Sequence, residues 1–596
     1  MIDMSTYRIQ SFLVLIHKYR GEGQSIGSDP EYTRDQKTWI LHSVDHRIEM
    51  LAIFRNEEQN PQIHDPASSP QIVTLTVGDK LGRRDNYGEC TASSVTLRID
   101  FTHSVFKVWT SVVGLPPVYC MEEDRFFIFT TDIHLLKNVS GLHPMLDPKG
   151  MIELGRTGHP TEYGTLVKDL TMLLGGQMGE YRHASGFRLT NAWEIPEEKP
   201  VKDWERFCKS QIDAFDRSMG KIKTEGAFLS LTAGLDTRAI FSWLINQREF
   251  LPSYTMSGPE LSLDARIAQS LCNHYGVKHQ VISLKEDFFQ NILVYMKEAS
   301  RLSGGVVSLG QAAEVYFYEQ INNELTSRIS GNLGNQIGRG GTEGISLRSA
   351  DLGILRKEIL FEYKDSLNKG HWFFNRGEND NRMSYRTLLQ YEVPHSSVAN
   401  YSIGNHFLVQ KSPYASIELI EASCRDLEWG REKSDNSLIR MRQRDLLHRF
   451  LGEPCVKSFQ RQLIRDYGGY PSICPINWGW RANGGISLKG ILFGVCTGLD
   501  AFFSRNVTDA KSVALRKSLH VYGLHDFKNI GYWIKMNLRG YILDHVHSSG
   551  SATDIFEKPV LQKKVMDYFL GKSGDYNTIL YALDLIVAQQ VLGLKT

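Results

Sequence analysis

Residues Phe228–Leu244, which read FLSLTAGLDTRAIFSWL, decide the fold of this chain. The apolar first residues predict a β-strand, the small residues at Thr232–Thr237 predict a turn, and the remainder predicts an amphipathic helix. A glycine-containing turn between a strand and a helix can hold an anion, because its backbone N–H groups and the helix dipole both favour negative charge. The hydroxyls of the turn can donate to a phosphate group, and Asp236 can hold Mg²⁺ on the phosphate oxygens. The stretch therefore predicts a phosphate-binding turn.

The turn is not a Walker motif, because no Gly-Lys-Ser/Thr stands at its end. Taken by itself, it is equally well interpreted as a plain tight connection between a strand and a helix. Later segments favour the phosphate interpretation: a strand ends at Tyr254–Gly258, a helix begins at Asp264–Ala268, and Gly331–Gly341 follows another strand. Parallel strands hold their ligands at their carboxyl ends, so we expect these segments at one edge of a sheet.

The composition is that of an ordinary soluble protein with several domains. The chain has 596 residues, of which 41% are hydrophobic and 23% charged, and its net charge is +1. It is too long for one core, and its neutral charge balance gives no reason to expect nucleic acid. It contains no run of 18 apolar residues and no C-x-x-C pair among its eight cysteines. We therefore expect no membrane helix, no zinc site, reduced thiols and a cytoplasmic location.

Two patterns divide the chain near residue 200. Before it, apolar and polar side chains alternate with a period of two, as at Val95–Thr102, which predicts antiparallel strands. Two apolar runs on either side of Glu122–Asp124 predict an antiparallel hairpin. Ile195–Pro200 is the predicted linker. After it, helices and strands alternate, which predicts a parallel sheet, and the chain beyond 345 reads as mostly helical. The predicted helices are 203–220, 263–275, 286–301 and 309–324, and the predicted strands are 227–232, 251–256, 278–283 and 326–330.

The turn at Thr232–Thr237 resembles the pyrophosphate-binding loop Ser-Gly-Gly-x-Asp-Ser of the asparagine synthetase and ATP-pyrophosphatase (PP-loop) superfamily. Threonines replace both serines, and Ala233 replaces the first glycine, at a position that would favour a glycine backbone. Further segments between about residues 110 and 490 are similar, in the same order, to motifs of asparagine synthetase-type domains. They are Tyr254–Gly258, Asp264–Ala268, Gly276–His279, Ile329–Gly341 and Val409–Leu419.

The N-terminal part resembles the end of that family's glutaminase domain at Gly114–Tyr119, Phe127–Ile133 and Thr165–Leu170. In members that hydrolyse glutamine, a cysteine released by removal of Met1 is the nucleophile and uses its own α-amine as base. Here residue 2 is Ile2 and the first cysteine is Cys90, so we expect no glutaminase activity. The resemblance then points to members that lost this activity, such as β-lactam synthetases and lasso-peptide cyclases.

The resemblance implies an α/β fold in three parts. They are an antiparallel αββα domain of the Ntn-hydrolase, glutaminase-like type at 1–197, a doubly wound parallel-sheet PP-loop ATP-pyrophosphatase domain at 201–500, and a largely helical C-terminal extension at 501–596. It implies ATP and Mg²⁺ as cofactors, with a small-molecule or peptide carboxylate and an amine donor as partners. It implies no nucleic acid and no membrane, and it leaves a homodimer open.

The implied reaction is that of an AMP-forming amide ligase: a carboxylate attacks the α-phosphorus of ATP, and the acyl-adenylate passes to an amine. Asp236 and Arg339 are the implied catalytic residues, and Asp236 and Asn335 are the implied Mg²⁺ ligands. The implied nucleotide contacts are Thr232, Ala233, Gly234, Leu235, Asp236, Thr237, Met256, Ser257, Gly258, Gly331 and Asn332.

Two residues near the turn have more than one interpretation. Arg238, in the first turn of the predicted helix, either neutralises phosphate charge or is solvated. His279 begins a strand, and we expect it to make a structural hydrogen bond rather than to transfer a proton.

Departures from the family pattern keep rival functions open. Asn335 and Gln336 stand where the family has acids, and an amide ligates Mg²⁺ without a carboxylate's charge. The family's C-terminal lysine falls on Lys411, Lys457 or Lys489. The rivals to the amide ligase are an authentic asparagine synthase using ammonia or glutamine, and an inactive nucleotide-binding scaffold. A tRNA-modifying member is disfavoured by the neutral charge and the lack of paired cysteines.

Overall fold

The computed structural model describes the chain in blocks separated by gaps. The described residues are 9–17, 36–42, 48–55, 72–79, 93–100, 102–182, 184–197, 199–200, 203–306, 309–322, 324–339, 350–361, 385, 388–426, 457–476, 479–495, 530–547 and 554–595. Ile2, Cys90 and Gly340–Gly341 lie outside them. Within these blocks, no helix is both long enough and apolar enough to cross a membrane.

In the described residues, eleven strands of the N-terminal part connect into one hydrogen-bonded sheet, which consists of two antiparallel sheets joined at a single parallel pair. Their bounds are β1 (Ile9–His17), β2 (Gln36–His42), β3 (Ile48–Arg55), β4 (Ile72–Asp79), β5 (Ser93–Asp100), β6 (Val105–Trp109), β7 (Tyr119–Glu122), β8 (Phe126–Thr130), β9 (Leu170–Met172), β10 (Gln177–Arg182) and β11 (Gly186–Asn191). One sheet has the order β2-β3-β1-β8-β7-β9 and the other β4-β5-β6-β10-β11, and in the described residues the pair Ile9 and Val77 joins them. The predicted hairpin is confirmed as β7 and β8.

The two sheets share a core because their strands alternate apolar and polar residues. Phe12 of the first sheet and Leu97 and Phe106 of the second belong to one buried cluster. Leu13, which points to the opposite face of the first sheet, belongs to a cluster that includes helix α1 (Pro148–Thr157). Two antiparallel sheets with helices against one of them are therefore present, and the αββα arrangement of the Ntn-hydrolase type stays a prediction.

A five-stranded parallel sheet of order β15-β14-β13-β16-β17 forms the second part, as predicted. Its strands are β13 (Ala227–Ser230), β14 (Ser253–Ser257), β15 (His279–Ser283), β16 (Ser327–Ile329) and β17 (Val409–Lys411). The helices of this part are α2 (Trp204–Lys221), α3 (Leu235–Asn246), α4 (Leu263–Tyr275), α5 (Glu286–Gln290), α6 (Ile292–Ser303), α7 (Leu309–Glu319), α8 (Gly334–Arg339), α9 (Val393–Phe407), α10 (Ile417–Ser423), α11 (Ser458–Tyr467) and α12 (Gly469–Ile473).

Helices cover both faces of the parallel sheet. Leu229 of β13 belongs to a buried cluster with residues of α2, α3, α4 and α11, whereas Phe228, its neighbour in the strand, belongs to the cluster with residues of α6 and α7. Successive side chains of a strand point to opposite faces, so each helical layer meets its own set of strand residues. The doubly wound arrangement is confirmed.

The chain reverses its progress across the parallel sheet at β13. From β13, the next two strands, β14 and β15, lie on one side, and β16 and β17 lie on the other. The connections that leave β13 and β16 therefore diverge from two neighbouring strands at the carboxyl edge. A doubly wound sheet opens a crevice at such a switch point, and ligands bind there.

The described part of the C-terminal region contains four helices: α13 (Ile530–Asn537), α14 (Arg539–His547), α15 (Lys558–Phe569) and α16 (Tyr576–Leu592). Side chains of α16 share one buried cluster with Leu13 of β1 and with α6, so N-terminal and C-terminal segments contribute to a common core.

The predicted linker packs against the rest of the protein: Ile195 is buried, and β12 (Lys199–Pro200) pairs with β18 (Arg425–Asp426). The three domain boundaries stay a prediction.

Candidate functional site

The predicted phosphate-binding turn lies between β13 and α3 and is shaped by its own threonines. The Thr237 Oγ1 accepts a hydrogen bond from the Thr232 N–H at 3.0 Å, and the two hydroxyl oxygens are 2.9 Å apart. The Gly234 N–H donates to the Thr232 Oγ1 at 3.3 Å. Hydroxyl side chains at both ends of the turn thus close it into a compact loop, which explains why threonine can replace serine at these positions.

The departure at Ala233 is accommodated without strain. Ala233 is fully buried, and it is not one of the described non-glycine residues with a positive φ, so its backbone conformation does not require glycine. Its N–H donates to a carboxylate oxygen of Asp264, in the first turn of α4. Asp264 thereby ties the turn after β13 to the helix after β14. The sequence marked Asp264 as an acidic helix start but gave no sign of this contact.

The start of α3 offers the remaining backbone donors of the turn. The N–H groups of Thr232, Ala233 and Gly234 already donate to acceptors within the protein. The N-cap residue Gly234 has no side chain that could accept a hydrogen bond from the first turn of α3. The first N–H groups of a helix have no intrahelical acceptor, and they carry the positive end of the helix dipole. An anion would therefore be bound at Leu235–Thr237 rather than at the preceding three residues.

A second turn, after β16, packs directly against the first. A Cβ atom on Gly331 would lie 2.9 Å from the Thr237 Cγ2, and one on Gly334 would lie 2.7 Å from the Asp236 Cβ. Real Cβ atoms do not approach so closely, so both positions need glycine for close contact between the turns. Asn335 directly follows Gly334 in α8 and is partly buried. The structure therefore brings the two predicted loops together at the switch point.

Lys457 and Gln460 complete the surroundings of the Asp236 carboxylate. The Lys457 Nζ lies 2.7 Å from the Asp236 Oδ2, and these side chains are 11% and 18% exposed. The Gln460 Nε2 lies 3.3 Å from the Asp236 Oδ1 and 3.0 Å from the Gly334 carbonyl oxygen. A lysine and a glutamine at the start of α11 thus hold both carboxylate oxygens. Gln460 was not predicted from the sequence.

The structure distinguishes the three candidate lysines. Lys457 is the candidate that contacts Asp236. The Lys411 Nζ donates to the Lys223 carbonyl oxygen at 2.7 Å, and Lys489 is exposed with its Nζ over the ring of Phe493. Of the three, the geometry selects Lys457 as the lysine of the candidate site.

The segment after β17 supports the backbone of Asp236. Tyr414, in a 3₁₀ turn at Pro413–Ala415, donates its hydroxyl to the Asp236 carbonyl oxygen at 2.9 Å. Burial raises the pKa of the Tyr414 hydroxyl well above its usual value, so it stays a neutral donor. The predicted similarity at Val409–Leu419 thus falls on a segment that contacts the predicted phosphate-binding turn.

Neither interpretation of Arg238 fits the structure. Its side chain is fully buried, and its guanidinium donates to four backbone carbonyls, those of Ala233, Pro471, Cys474 and Pro475. Arg238 is therefore neither solvated nor directed at a phosphate group. It attaches α3 to the segment that follows α11.

The other predicted contact residues lie at or after the end of β14 and after β16. Met256 and Ser257 are the last residues of β14, which lies beside β13. The Ser257 hydroxyl donates to the Glu260 carbonyl oxygen at 2.8 Å and so stabilises the turn that contains Gly258. The Asn332 carbonyl oxygen accepts from the Ser412 hydroxyl at 2.6 Å. Arg339 is the last residue of α8, and its side chain lies outside the described part of the structure.

His279 has a structural role, as expected. Its Nδ1 lies 2.9 Å from the Ser253 Oγ of the neighbouring strand. Burial lowers the pKa of His279 to about 4, so the ring is neutral near pH 7. A neutral ring bonded to a neighbouring strand stabilises the sheet.

Comparison with known proteins adds little to this geometry. No protein-family model and no curated protein matches the chain. Among solved structures, it is similar to NMN synthetase from Francisella tularensis at 13% identity, over 30% of this chain and 75% of that one, with a TM-score of 0.18. It is also similar to the NH3-dependent NAD synthetase from Campylobacter jejuni subsp. jejuni NCTC 11168, in complex with the nitrate ion, at 16% identity, over 30% of this chain and 80% of that one, with a TM-score of 0.17. Overlaps of this size carry no argument about fold or function.

Proposed function

We propose that this chain is an ATP-dependent, AMP-forming amide ligase that binds the triphosphate of ATP between the turns after β13 and β16. One observation carries the proposal: the start of α3, the Asp236 carboxylate and the Lys457 ammonium meet at the switch point of the parallel sheet. A helix start and a lysine attract a phosphate group, and a carboxylate beside them attracts the ion that accompanies a triphosphate.

The residues present fit a bound Mg²⁺ ion. Nucleotide sites commonly hold Mg²⁺ with one or two carboxylates and complete its coordination with phosphate oxygens and water. Asp236 would supply the carboxylate, and Asn335 would add an amide oxygen. The described residues contain no group of three or more His, Cys, Asp or Glu side chains that could hold a metal ion. When bound, the ion neutralises charge on the phosphates.

Lys457 would supply the mobile positive charge of the reaction. Its ammonium sits at the end of a flexible stem, so it can move from Asp236 to a phosphate oxygen while α11 stays in place. When a carboxylate attacks the α-phosphorus and pyrophosphate leaves, negative charge is redistributed over the phosphate oxygens, and a partly buried ammonium stabilises it. The acyl carbon of the resulting adenylate then accepts an amine, and AMP leaves.

A second candidate function is a nucleotide-binding scaffold without turnover. It is favoured by the amides Asn335 and Gln336 and by the contacts of Asp236, since Lys457 and Gln460 already hold both of its carboxylate oxygens. An authentic asparagine synthase is a narrower form of the ligase proposal, in which the carboxylate is aspartate. The two differ in the acid that supports turnover.

Pyrophosphate release tests the proposal. The full-length protein is incubated with ATP, Mg²⁺ and a panel of carboxylates that includes aspartate, with and without amines. Pyrophosphate and AMP should form in equal amounts when an accepted acid and an amine are both present, and neither should form without the acid. Asp236→Ala should abolish the release, whereas Asp213→Ala, on the exposed face of α2, should not change it. Calorimetric binding of ATP without pyrophosphate release across the panel would favour the scaffold, and no ATP binding would contradict both functions.

A further inference from the structure

Gln460 connects the two turns of the candidate site through one buried amide. Its side chain is fully buried, and its Nε2 reaches both the Asp236 carboxylate in the first turn and the Gly334 carbonyl in the second. Its Oε1 has no hydrogen-bond partner among the residues that the structure describes. Burying a polar atom without a hydrogen-bond partner costs free energy. The hydrogen bonds that the Gln460 Nε2 donates have to offset this cost.

The space for this amide depends on a glycine of α8. A Cβ atom on Gly338 would lie 2.9 Å from the Lys457 Cγ and would overlap the Gln460 amide nitrogen. The Gly338 carbonyl oxygen accepts from the Lys457 N–H at 3.0 Å. Lys457 itself has a φ of +63°, a conformation that non-glycine residues adopt only where the surroundings hold them. The start of α11 is therefore fixed against α8 at two points.

From this geometry we propose that Gln460 is a positioning residue that orients the Asp236 carboxylate for the metal–nucleotide complex. Gln460 and Lys457 hold different oxygens of the carboxylate, so Gln460 can keep Asp236 in place when the Lys457 ammonium moves to a phosphate oxygen. An amide suits this task because its N–H group donates to the carboxylate without placing a second charge beside Asp236. The inference rests on the proposed function and adds a residue to it.

The first test is the dependence of pyrophosphate release on Mg²⁺. Gln460→Met removes the amide at similar volume, and Gln462→Met, whose amide contacts Asp466 at the surface of the same helix, is the matched control. We expect Gln460→Met to raise the Mg²⁺ concentration for half-maximal rate roughly 10-fold to 100-fold, as loss of residues that orient metal ligands does. The control should follow the wild type. An unchanged Mg²⁺ requirement in folded Gln460→Met would overturn the inference.

The second test uses charge. Gln460→Glu keeps the size and polarity of the side chain but places a carboxylate against Asp236. Two adjacent carboxylates cannot both ionise readily, so the acidic limb of the rate profile should move to higher pH. A merely structural role would lower the amount of folded protein without moving this limb. A Gln460→Glu profile that superimposes on the wild type would contradict the inference.

A third test separates this inference from the proposed function. In a double-mutant cycle of Asp236→Ala and Gln460→Met, urea unfolding measures whether the two side chains interact, whatever the enzyme catalyses. We expect a coupling of at least about threefold in the unfolding equilibrium constant. Coupling without any pyrophosphate release would reject the ligase and retain the contact, whereas additive effects would reject the positioning role itself.

Discussion

Asp236 is the residue on which the candidate site converges. Its partners Tyr414, Lys457 and Gln460 stand 178, 221 and 224 residues further along the chain. Two separate segments, the 3₁₀ turn after β17 and the start of α11, therefore have to fold against the turn that holds Asp236. Asp236 forms an ion pair with Lys457 and is the only charged residue of the turn Thr232–Thr237. A divalent ion that binds here would therefore compete with Lys457 for the Asp236 carboxylate.

Removing the charge of Lys457 should affect chemistry more than binding. We expect Lys457→Met to lower the rate of pyrophosphate release by about 100-fold or more, because a donor aimed at developing charge is lost. ATP affinity, measured by calorimetry, should change far less. Lys489→Met, at an exposed position, is the matched control and should leave the rate unchanged. Equal losses in rate and in ATP affinity would assign Lys457 to ground-state binding.

The sequence identified Asp236 but not its partners. A strand, a small-residue turn and a helix are visible as a local pattern, whereas Gln460 lies on an ordinary amphipathic helix and becomes visible only through a contact across 224 residues. Lys457 was one of three equivalent lysines for the same reason. Arg238 was misjudged because arginine is usually exposed, and nothing in the local sequence shows that four carbonyls converge on it.

At the scale of elements, the two turns form a single contact surface. Gly331 and Gly334 bring the turn after β16 against Thr237 and Asp236, and no side chain separates them. The predicted helix 263–275 is observed at Leu263–Tyr275, because Ser262 caps its start and Gly276 ends it in a left-handed conformation. Such local signals made the strands and helices of the parallel sheet predictable. The contact between the turns after β13 and β16 could not be predicted in this way, because it depends on which strands are neighbours in the sheet.

A methyl group at Gly334 tests this contact. Gly334→Ala would place a Cβ 2.7 Å from the Asp236 Cβ, so the turns have to separate. We expect a loss of about 1–3 kcal/mol in the free energy of unfolding, typical of overpacking, and a large loss of ATP affinity. Gly220→Ala in α2, where a Cβ meets nothing within 4 Å, should instead stabilise the protein by up to about 1 kcal/mol. Unchanged ATP affinity in Gly334→Ala would place the nucleotide elsewhere.

At the scale of the whole molecule, buried histidines join the antiparallel part to the helices of the second part. The His159 Nε2 lies 3.5 Å from the Glu392 Oε1, and the ring of His159 stacks on that of His395 with centroids 6.2 Å apart. The His395 Nε2 in turn contacts the Glu162 carbonyl oxygen. Glu162 and His159 belong to the segment after α1, and Glu392 and His395 belong to the start of α9. This contact was not predicted, because each histidine stands alone in the sequence.

The histidine contact predicts how stability depends on pH. Burial lowers the pKa of His395 to about 3, below its unfolded value of 6.5, so the unfolded chain binds an extra proton between these values. The contribution of His395 to stability should therefore fall by roughly 1.4 kcal/mol per pH unit as pH drops below 6.5. His279 acts in the same direction. Despite burial, Glu392 raises the pKa of His159, which acts in the opposite direction. His395→Gln should reduce the slope without removing it, as measured by urea unfolding between pH 4 and pH 7 (about the range in which the histidines titrate). Parallel profiles for the two proteins would refute this explanation.

A structure of the full-length protein with Mg²⁺ and an ATP analogue that cannot be cleaved at the α-phosphorus is the most direct measurement. The phosphates should lie at the start of α3, the ion should contact Asp236, and the Lys457 Nζ should have moved from the Asp236 carboxylate to a phosphate oxygen. A nucleotide bound away from the two turns, with the Asp236–Lys457 distance still at 2.7 Å, would contradict the proposed site.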